Sequence, residues 1–444
     1  MSASDSVSAA LFASLSAPRV GVWLIGARGS VATTVVAGCA AVTAGLHPPT
    51  GLVTETPMFA DSGLPALSSL VFGGHDTVDC PLPKRAEALA AGGVLPPGLP
   101  TAIRSELTAA DTEIRPGGPL PGDTRSDAEL ITSFASDIQD FIRRRELTRA
   151  VVVNVASTEP RPTERPPTGL TATERPPTGL TATERTSIEP TATERTPIEP
   201  TATELSRTGT ALPPSSLYAA AALRAGCPYV NFTPSTGLDH PALASLRAST
   251  GLPFAGRDGK TGQTLLRSVL GPMFTQRALT VRAWSGTNLL GGGDGASLAD
   301  PAAAAAKNAG KDRVLADTLA TPPEGEVHID DVPALGDWKT AWDHIAFDGF
   351  LGTRMILQTI WQGCDSSLAA PLILDLARLT ARSHEAGLSG PLTELGFYFK
   401  DPVGEGPAAL GEQYAALAEF AERLAGREGR VWPGRDAASD RERP

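Results

Sequence analysis

RVGVWLIGARGSVATTVVAGCAAV, residues 19–42, divides into three parts. Arg19 to Ile25 is a short apolar run of the kind that forms a strand buried on both faces. Gly26-Ala27-Arg28-Gly29-Ser30-Val31-Ala32 is a glycine turn, and Thr33 to Val42 is an apolar helix. Strand, glycine turn and helix open a dinucleotide-binding unit, in which a pyrophosphate rests on the helix N-terminus. Gly26, Gly29 and Ala32 occupy expected positions. Arg28 stands where a second glycine would let the backbone approach the phosphates. The turn thus offers Gly26, Arg28, Gly29 and Ser30 as cofactor contacts, with the Arg28 guanidinium an alternative phosphate clamp. A purely structural strand–helix turn is the competing reading.

Downstream, Glu55 closes Gly51-Leu52-Val53-Thr54 and is one candidate for the ribose-binding acid that follows such a turn by about twenty residues. Residues 126–148 read as an amphipathic helix, with Ile131, Phe134, Ile138 and Ile142 apolar and Arg143 to Arg145 at its end. Val151 to Glu159 reads as a buried strand with a polar tip, and ligands of doubly wound sheets bind at such tips. Ala156, Ser157 and Thr158 are therefore expected contacts. From Arg161 to Glu204 a ten-residue repeat rich in Thr, Pro and Glu has little to bury and is expected to be a disordered surface insertion. A helix at Leu217–Ala225 and a strand at Pro228–Phe232 follow.

A second glycine turn, Gly256 to Thr264, precedes a helix and can aim backbone N–H groups at an anion. Strands are expected at Leu279–Trp284, His344–Phe347 and Thr353–Thr359, and a long helix runs from about Pro371 through Ala381. A glycine cluster at Asn288 to Gly295 leads to Lys307 and Lys311, four apart and so on one helix face.

Together these segments resemble myo-inositol-1-phosphate synthase (inositol-3-phosphate synthase). The family's D-x-K-S-G-Q-T turn is matched by Asp258 to Thr264, with Thr261 for the serine. Its N-x-L-G-N-N-D-G-x-N-L segment is matched by Asn288 to Leu298, with Gly292 and Gly293 for two asparagines; Lys307, Lys311, Val314 and Asp317 then fall in place without a gap. The family's V-x-G-G-W-D-I is met by Val71 to Thr77, which makes Asp76 a second candidate acid and sets His75 where an aromatic packs. Its G-D-S-K is met by Gly336 to Lys339, its D-S-L-L-A-x-P by Asp365 to Pro371, and its late lysine by Lys400. Its G-x-G-G-N-N-G turn is only partly met at Gly26–Ala32, and its Y-x-N-G-S-P has Phe232 in place of glycine.

The resemblance implies an α/β fold: a Rossmann-like doubly wound NAD-binding domain (18–245 plus 361–426) and a second α+β catalytic and oligomerisation domain (246–360). It implies NAD as cofactor, held also by Asp258, Asp294, Asp337, Asp365 and Ser366. It implies cyclisation of D-glucose 6-phosphate to 1D-myo-inositol 3-phosphate by oxidation at C5, enolisation, intramolecular aldol closure and re-reduction. Lys307 would stand by the C5 oxygen, and Lys400 would do acid/base work near the aldehyde. Lys311 and Lys339 would hold phosphate and nearby oxygens, with Lys260, Gly262, Gln263 and Thr264 on the phosphate side. A homotetramer is implied in the same way. A plain NAD-dependent dehydrogenase, a cyclase of another sugar phosphate and a non-catalytic NAD-binding regulator are the alternatives; the retained lysines favour the synthase.

The formal net charge of -11 argues against a nucleic-acid partner. No apolar run reaches the length of a membrane span. Cys39, Cys80, Cys227 and Cys364 are scattered, which fits free thiols in a reducing cytoplasm and suggests no metal cluster.

Overall fold

The computed structural model describes residues 18–120, 122–159, 212–291 and 313–426. The repeat at 161–204, Asp294, Lys307 and Lys311 lie outside those residues.

Seven parallel strands form the first sheet: β1 (Val20–Ile25), β2 (Leu70–Asp76), β3 (Ile114–Pro116), β4 (Arg149–Asn154), β5 (Tyr229–Asn231), β6 (Pro253–Gly256) and β11 (Gly390–Pro391). Their order is β11-β6-β5-β4-β1-β2-β3. Apart from the added β11 this is the doubly wound dinucleotide-binding order, whose switch point lies between β1 and β4. There Ile25 stands opposite both His75 and Asn154.

Side chains of β1 alternate between two cores, as strand geometry requires. Val22 and Leu24 face the core built with α1 (Ser30–Thr43) and α6 (Asp365–Glu385). Trp23 and Ile25 face the one built with α3 (Asp127–Arg144) and α4 (Pro214–Arg224); α2 (Leu82–Ala91) packs beside α1. Helix α3 begins in a capping box, Ser126 with Glu129, and buries Leu130, Ile131, Phe134, Ile138 and Phe141. A cap contributes about 1 kcal/mol and each buried apolar side chain about 1.5–3 kcal/mol. The apolar stripe therefore holds this helix, and the cap sets where it starts.

The second sheet is mixed, in the order β10-β9-β7-β8. It contains β7 (Thr280–Leu290), β8 (Val327–Asp331), β9 (Trp338–Asp348) and β10 (Arg354–Cys364). Helix α5 (Gly262–Gln276) covers its inner face, where Phe274 packs with Trp284 and Ile345. The long strands extend well past the apolar stretches that announced them, because their ends alternate inward and solvent-facing residues. Strand β6 joins the first sheet, so the two sheets divide between Gly256 and Thr280, later than the expected boundary at 246.

Glu55 does not end a strand. Val53–Glu55 is a single 3-10 turn tied to α6. There the Val53 and Thr54 N–H groups donate to Asp375, and Glu55 pairs with Arg378 at 2.6 Å. The strand that follows the glycine turn is β2, with Asp76 at its carboxyl end.

Candidate active site

The carboxyl ends of β1, β2 and β4 open into a cleft of about 750 Å³ whose far wall combines β9 of the second sheet with the turn after β6, the chain around Lys400 and the start of α6. Gly26, Arg28, Gly29, Ser30, Asp76, Ala156, Ser157 and Thr158 line the near side. Asp258, Asp337, Lys339, Asp365, Ser366 and Lys400 line the rest. Glu55 is not among the lining residues.

The near side fits a dinucleotide. Gly26 has φ +84°, and a Cβ there would lie 2.8 Å from the Cα of Ala156, so the turn can only approach β4 as glycine. Gly29 is the N-cap of α1, and no side chain caps that helix or places an acid in its first turn. The first N–H groups of a helix lack intrahelical partners, and here they face the cleft, where a phosphate would be favoured. Asp76 is held by the backbone N–H groups of Arg28, at 2.6 Å, and Val78, at 2.8 Å. Arg28 itself is turned aside: its Nε bonds Asp111 at 3.1 Å and its Nη1 bonds the Val78 carbonyl at 3.1 Å.

On the far side two lysines meet two carboxylates. Lys400 Nζ lies 2.8 Å from Asp258 Oδ1, with both side chains 7% exposed. Lys339 Nζ lies 2.9 Å from Asp365 Oδ2. Asp258 sits at φ +59°, a costly conformation for a residue with a side chain. The backbone fixes it there: its N–H donates to the Thr233 carbonyl at 3.1 Å, and its own carbonyl accepts from Lys400 N–H at 2.7 Å. Such a site presents amino groups to developing oxyanions, with the Lys400–Asp258 pair buried at the cleft wall.

The expected phosphate group of residues points elsewhere. Lys260 is buried, donates to Gln413 Oε1, and lies 5.8 Å from the centre of the Phe397 ring. Gln263 bonds Asp343 at 2.9 Å and accepts from Asn288 at 2.9 Å, within a buried network that also takes in Trp284. Thr264 is 1% exposed, and Gly262 is the first residue of α5. None of the four lines the cleft. His75 is fully buried: it accepts from Trp23 Nε1 at 3.0 Å and faces Asp137 at 3.1 Å. Burial pushes its pKa down against the pull of Asp137. It packs with Trp23, Phe134 and Tyr218, as an aromatic would.

Two cleft residues carried no sequence signal. Trp338 donates to the Gly92 carbonyl at 2.9 Å and so ties β9 to the end of α2. Arg85, from the first turn of α2, reaches Ser30 Oγ at 2.5 Å. Only the position of Arg85 shortly after the β2 acid could have drawn notice. All four cysteines are free, and among the described residues no helix is long and apolar enough to cross a membrane.

Two family models, both described as myo-inositol-1-phosphate synthase, match the chain: one over residues 262–366, the other an NAD-binding family over residues 20–173. Inositol-3-phosphate synthase 1 of Bacteroides thetaiotaomicron is 30% identical over 416 residues, 87% of this chain and 90% of that protein. The human inositol-3-phosphate synthase 1 is 28% identical over 417 residues, 82% of this chain and 68% of the relative. The fold is that of the crystal structure of inositol-3-phosphate synthase from Caenorhabditis elegans, with a TM-score of 0.73, 22% identity, and 93% and 86% of the two chains covered. A myo-inositol-1-phosphate synthase-related protein from Thermotoga maritima superposes with a TM-score of 0.65 at 21% identity, covering 93% of this chain and all of that one. A doubly wound sheet with its cleft at the switch point, and relatives matched along most of their own length, make this chain a member of the myo-inositol-1-phosphate synthase family.

Proposed function

We propose that the protein is an inositol-3-phosphate synthase, which cyclises D-glucose 6-phosphate to 1D-myo-inositol 3-phosphate with NAD used catalytically. The observation that carries this reading is the meeting, in one cleft, of a helix N-terminus behind a glycine turn with the Lys339–Asp365 and Lys400–Asp258 pairs. A dehydrogenase needs one acid/base group and an anion clamp; two lysine–carboxylate pairs suit a reaction that makes and consumes several oxyanions.

Gly26, Gly29, Ser30 and Asp76 hold the cofactor in this reading, with Ala156, Ser157 and Thr158 along the β4 tip. NAD, when bound, supplies reversible hydride transfer at C5 of the sugar. Lys339 then holds anionic oxygens of the substrate. Lys400 holds or moves a proton at the aldehyde oxygen as the ring closes, with Asp258 fixing its amino group. Lys307, Lys311 and Asp294 keep the roles that the resemblance gives them. The protein works in the cytoplasm as a homo-oligomer, a tetramer, assembled through the outer face of the second sheet. That face exposes Ile356 (63%) and Ile360 (69%) on the edge strand β10, and Trp342 (36%) on its neighbour β9.

The test is incubation with glucose 6-phosphate and catalytic NAD+, followed by phosphorus NMR, with Lys400→Ala and Lys339→Ala alongside. Inositol phosphate should form without net NADH, and each variant should lose about 10²–10⁴-fold in rate. Net NADH would point to a dehydrogenase. Bound NAD+ without turnover would point to another sugar phosphate.

A further inference from the structure

The glycine turn lacks two things that a dinucleotide pyrophosphate uses. Its Arg28 amide is spent on Asp76 at 2.6 Å, and its Arg28 guanidinium is spent on Asp111 and the Val78 carbonyl. A Cβ also stands where the second glycine would let the diphosphate approach. The turn itself therefore offers no free positive side chain, and one fewer amide.

Across the cleft mouth, Arg85 fills that gap. Its Nη2 lies 2.5 Å from the hydroxyl of Ser30, the first residue of α1. The same hydroxyl donates to Asp337 Oδ1 at 2.6 Å, and Arg85 stands 3.8 Å from that oxygen. An anionic oxygen is thus already accommodated at this helix N-terminus, between a hydroxyl and a guanidinium. The Arg85 side chain is 33% exposed and lines the cleft, so further donors of its five N–H groups remain to meet a ligand. Guanidinium suits this task because its fork can engage two oxygens of a phosphate at once.

We infer that Arg85 is a pyrophosphate ligand of the dinucleotide, supplying from α2 the charge that the turn lacks. This rests on the reading of the cleft as a dinucleotide site. Arg85 and the open N–H groups of α1 would share the diphosphate, with Asp337 giving up its place beside Ser30 as the phosphate enters.

Calorimetric titration of NAD+ and of ADP-ribose, which share the pyrophosphate and differ at the nicotinamide, tests this. Arg85→Ala should weaken both by the same factor, about 10- to 100-fold, with a melting temperature near that of the parent. Arg85→Gln, which keeps a polar reach to Ser30, should weaken both as well, and Arg85→Lys should recover part of the loss. Raising the salt concentration should weaken the parent more than the alanine variant, since one screened charge is gone. Affinities of the folded alanine and glutamine variants within twofold of the parent would overturn the assignment. Loss for NAD+ alone would place Arg85 at the nicotinamide end and overturn it too. A parent that binds neither ligand would overturn the cofactor reading, and this assignment with it.

Discussion

Lys260 shows how far a residue's neighbours decide its chemistry. Burial pushes its amine from 10.5 down to about 7. Between pH 7 and about 9 the unfolded chain keeps that proton while the folded chain has released it. Folding stability therefore rises with pH across this window. Above about 9 the trend reverses, because burial raises the Cys39 and Cys227 thiols to about 12 and only the unfolded chain then ionises them. Melting temperatures at pH 7, 8 and 9 should climb in the parent, whereas in Lys260→Met they should stay flat to pH 8 and dip slightly at pH 9 as the unfolded chain begins to ionise the two thiols. A parent curve as flat as the variant's would show that the amine is solvated. Gly26 makes a second demand at this scale. Gly26→Ala would combine φ +84° with a Cβ 2.8 Å from the Ala156 backbone, at a cost of about 1–3 kcal/mol. Urea unfolding would measure it, and an unchanged midpoint would mean that the turn can move away from β4.

At the level of elements, Arg257-Asp258 pairs with Lys400-Asp401 through backbone hydrogen bonds at 2.7 Å in both directions. One pair of side chains, Asp258 and Lys400, lines the cleft. The other, Arg257 with Asp401 at 2.6 Å, lines a separate hollow, where Arg313 also reaches Asp401. Asp401→Asn should loosen the pairing and so misplace Lys400. We expect kcat to fall about 10- to 100-fold with NAD+ affinity unchanged. Equal loss of NAD+ binding would instead mean that the whole cleft had shifted. These pairings also explain what a reader of the sequence could find. Strands β1 and β4 are continuous apolar runs and announce themselves. Strand β2 does not, because it needs Gly73 and Gly74: a Cβ on Gly74 would lie 2.1 Å from the Leu24 carbonyl oxygen. Close packing there demands residues of poor strand propensity. In the same way the turn at Gly256–Thr264 was legible, but the direction of Lys260 was not. Gln413, from a helix (Leu410–Leu424) near the end of the chain, draws that side chain away from the cleft.

Across the whole molecule, the two sheets differ in how they meet solvent. The first is covered by helices on both faces, whereas α5 covers only one face of the second. On the other face Ile360 pairs across from Trp342 and Ile356 from Ala346, leaving an apolar band in the open. Ile360→Asp should reduce the assembly to smaller species in light scattering on a sizing column, with the fold of the first sheet intact by circular dichroism. A parent that runs as a monomer at micromolar concentration would remove the case for assembly through this face.

Glu159, beyond β4, accepts from the N–H groups of Ser215 and Thr236 and from the Ser215 hydroxyl. One carboxylate thus fastens the chain before residue 160 to the chain after residue 211, whatever runs between them. Such a clasp makes the position a port: sequence can enter or leave there without disturbing the cleft a few residues away. Replacing 160–211 by a short glycine–serine link should leave turnover unchanged in the phosphorus NMR assay, and a large loss of rate would show that the clasp does not isolate the cleft.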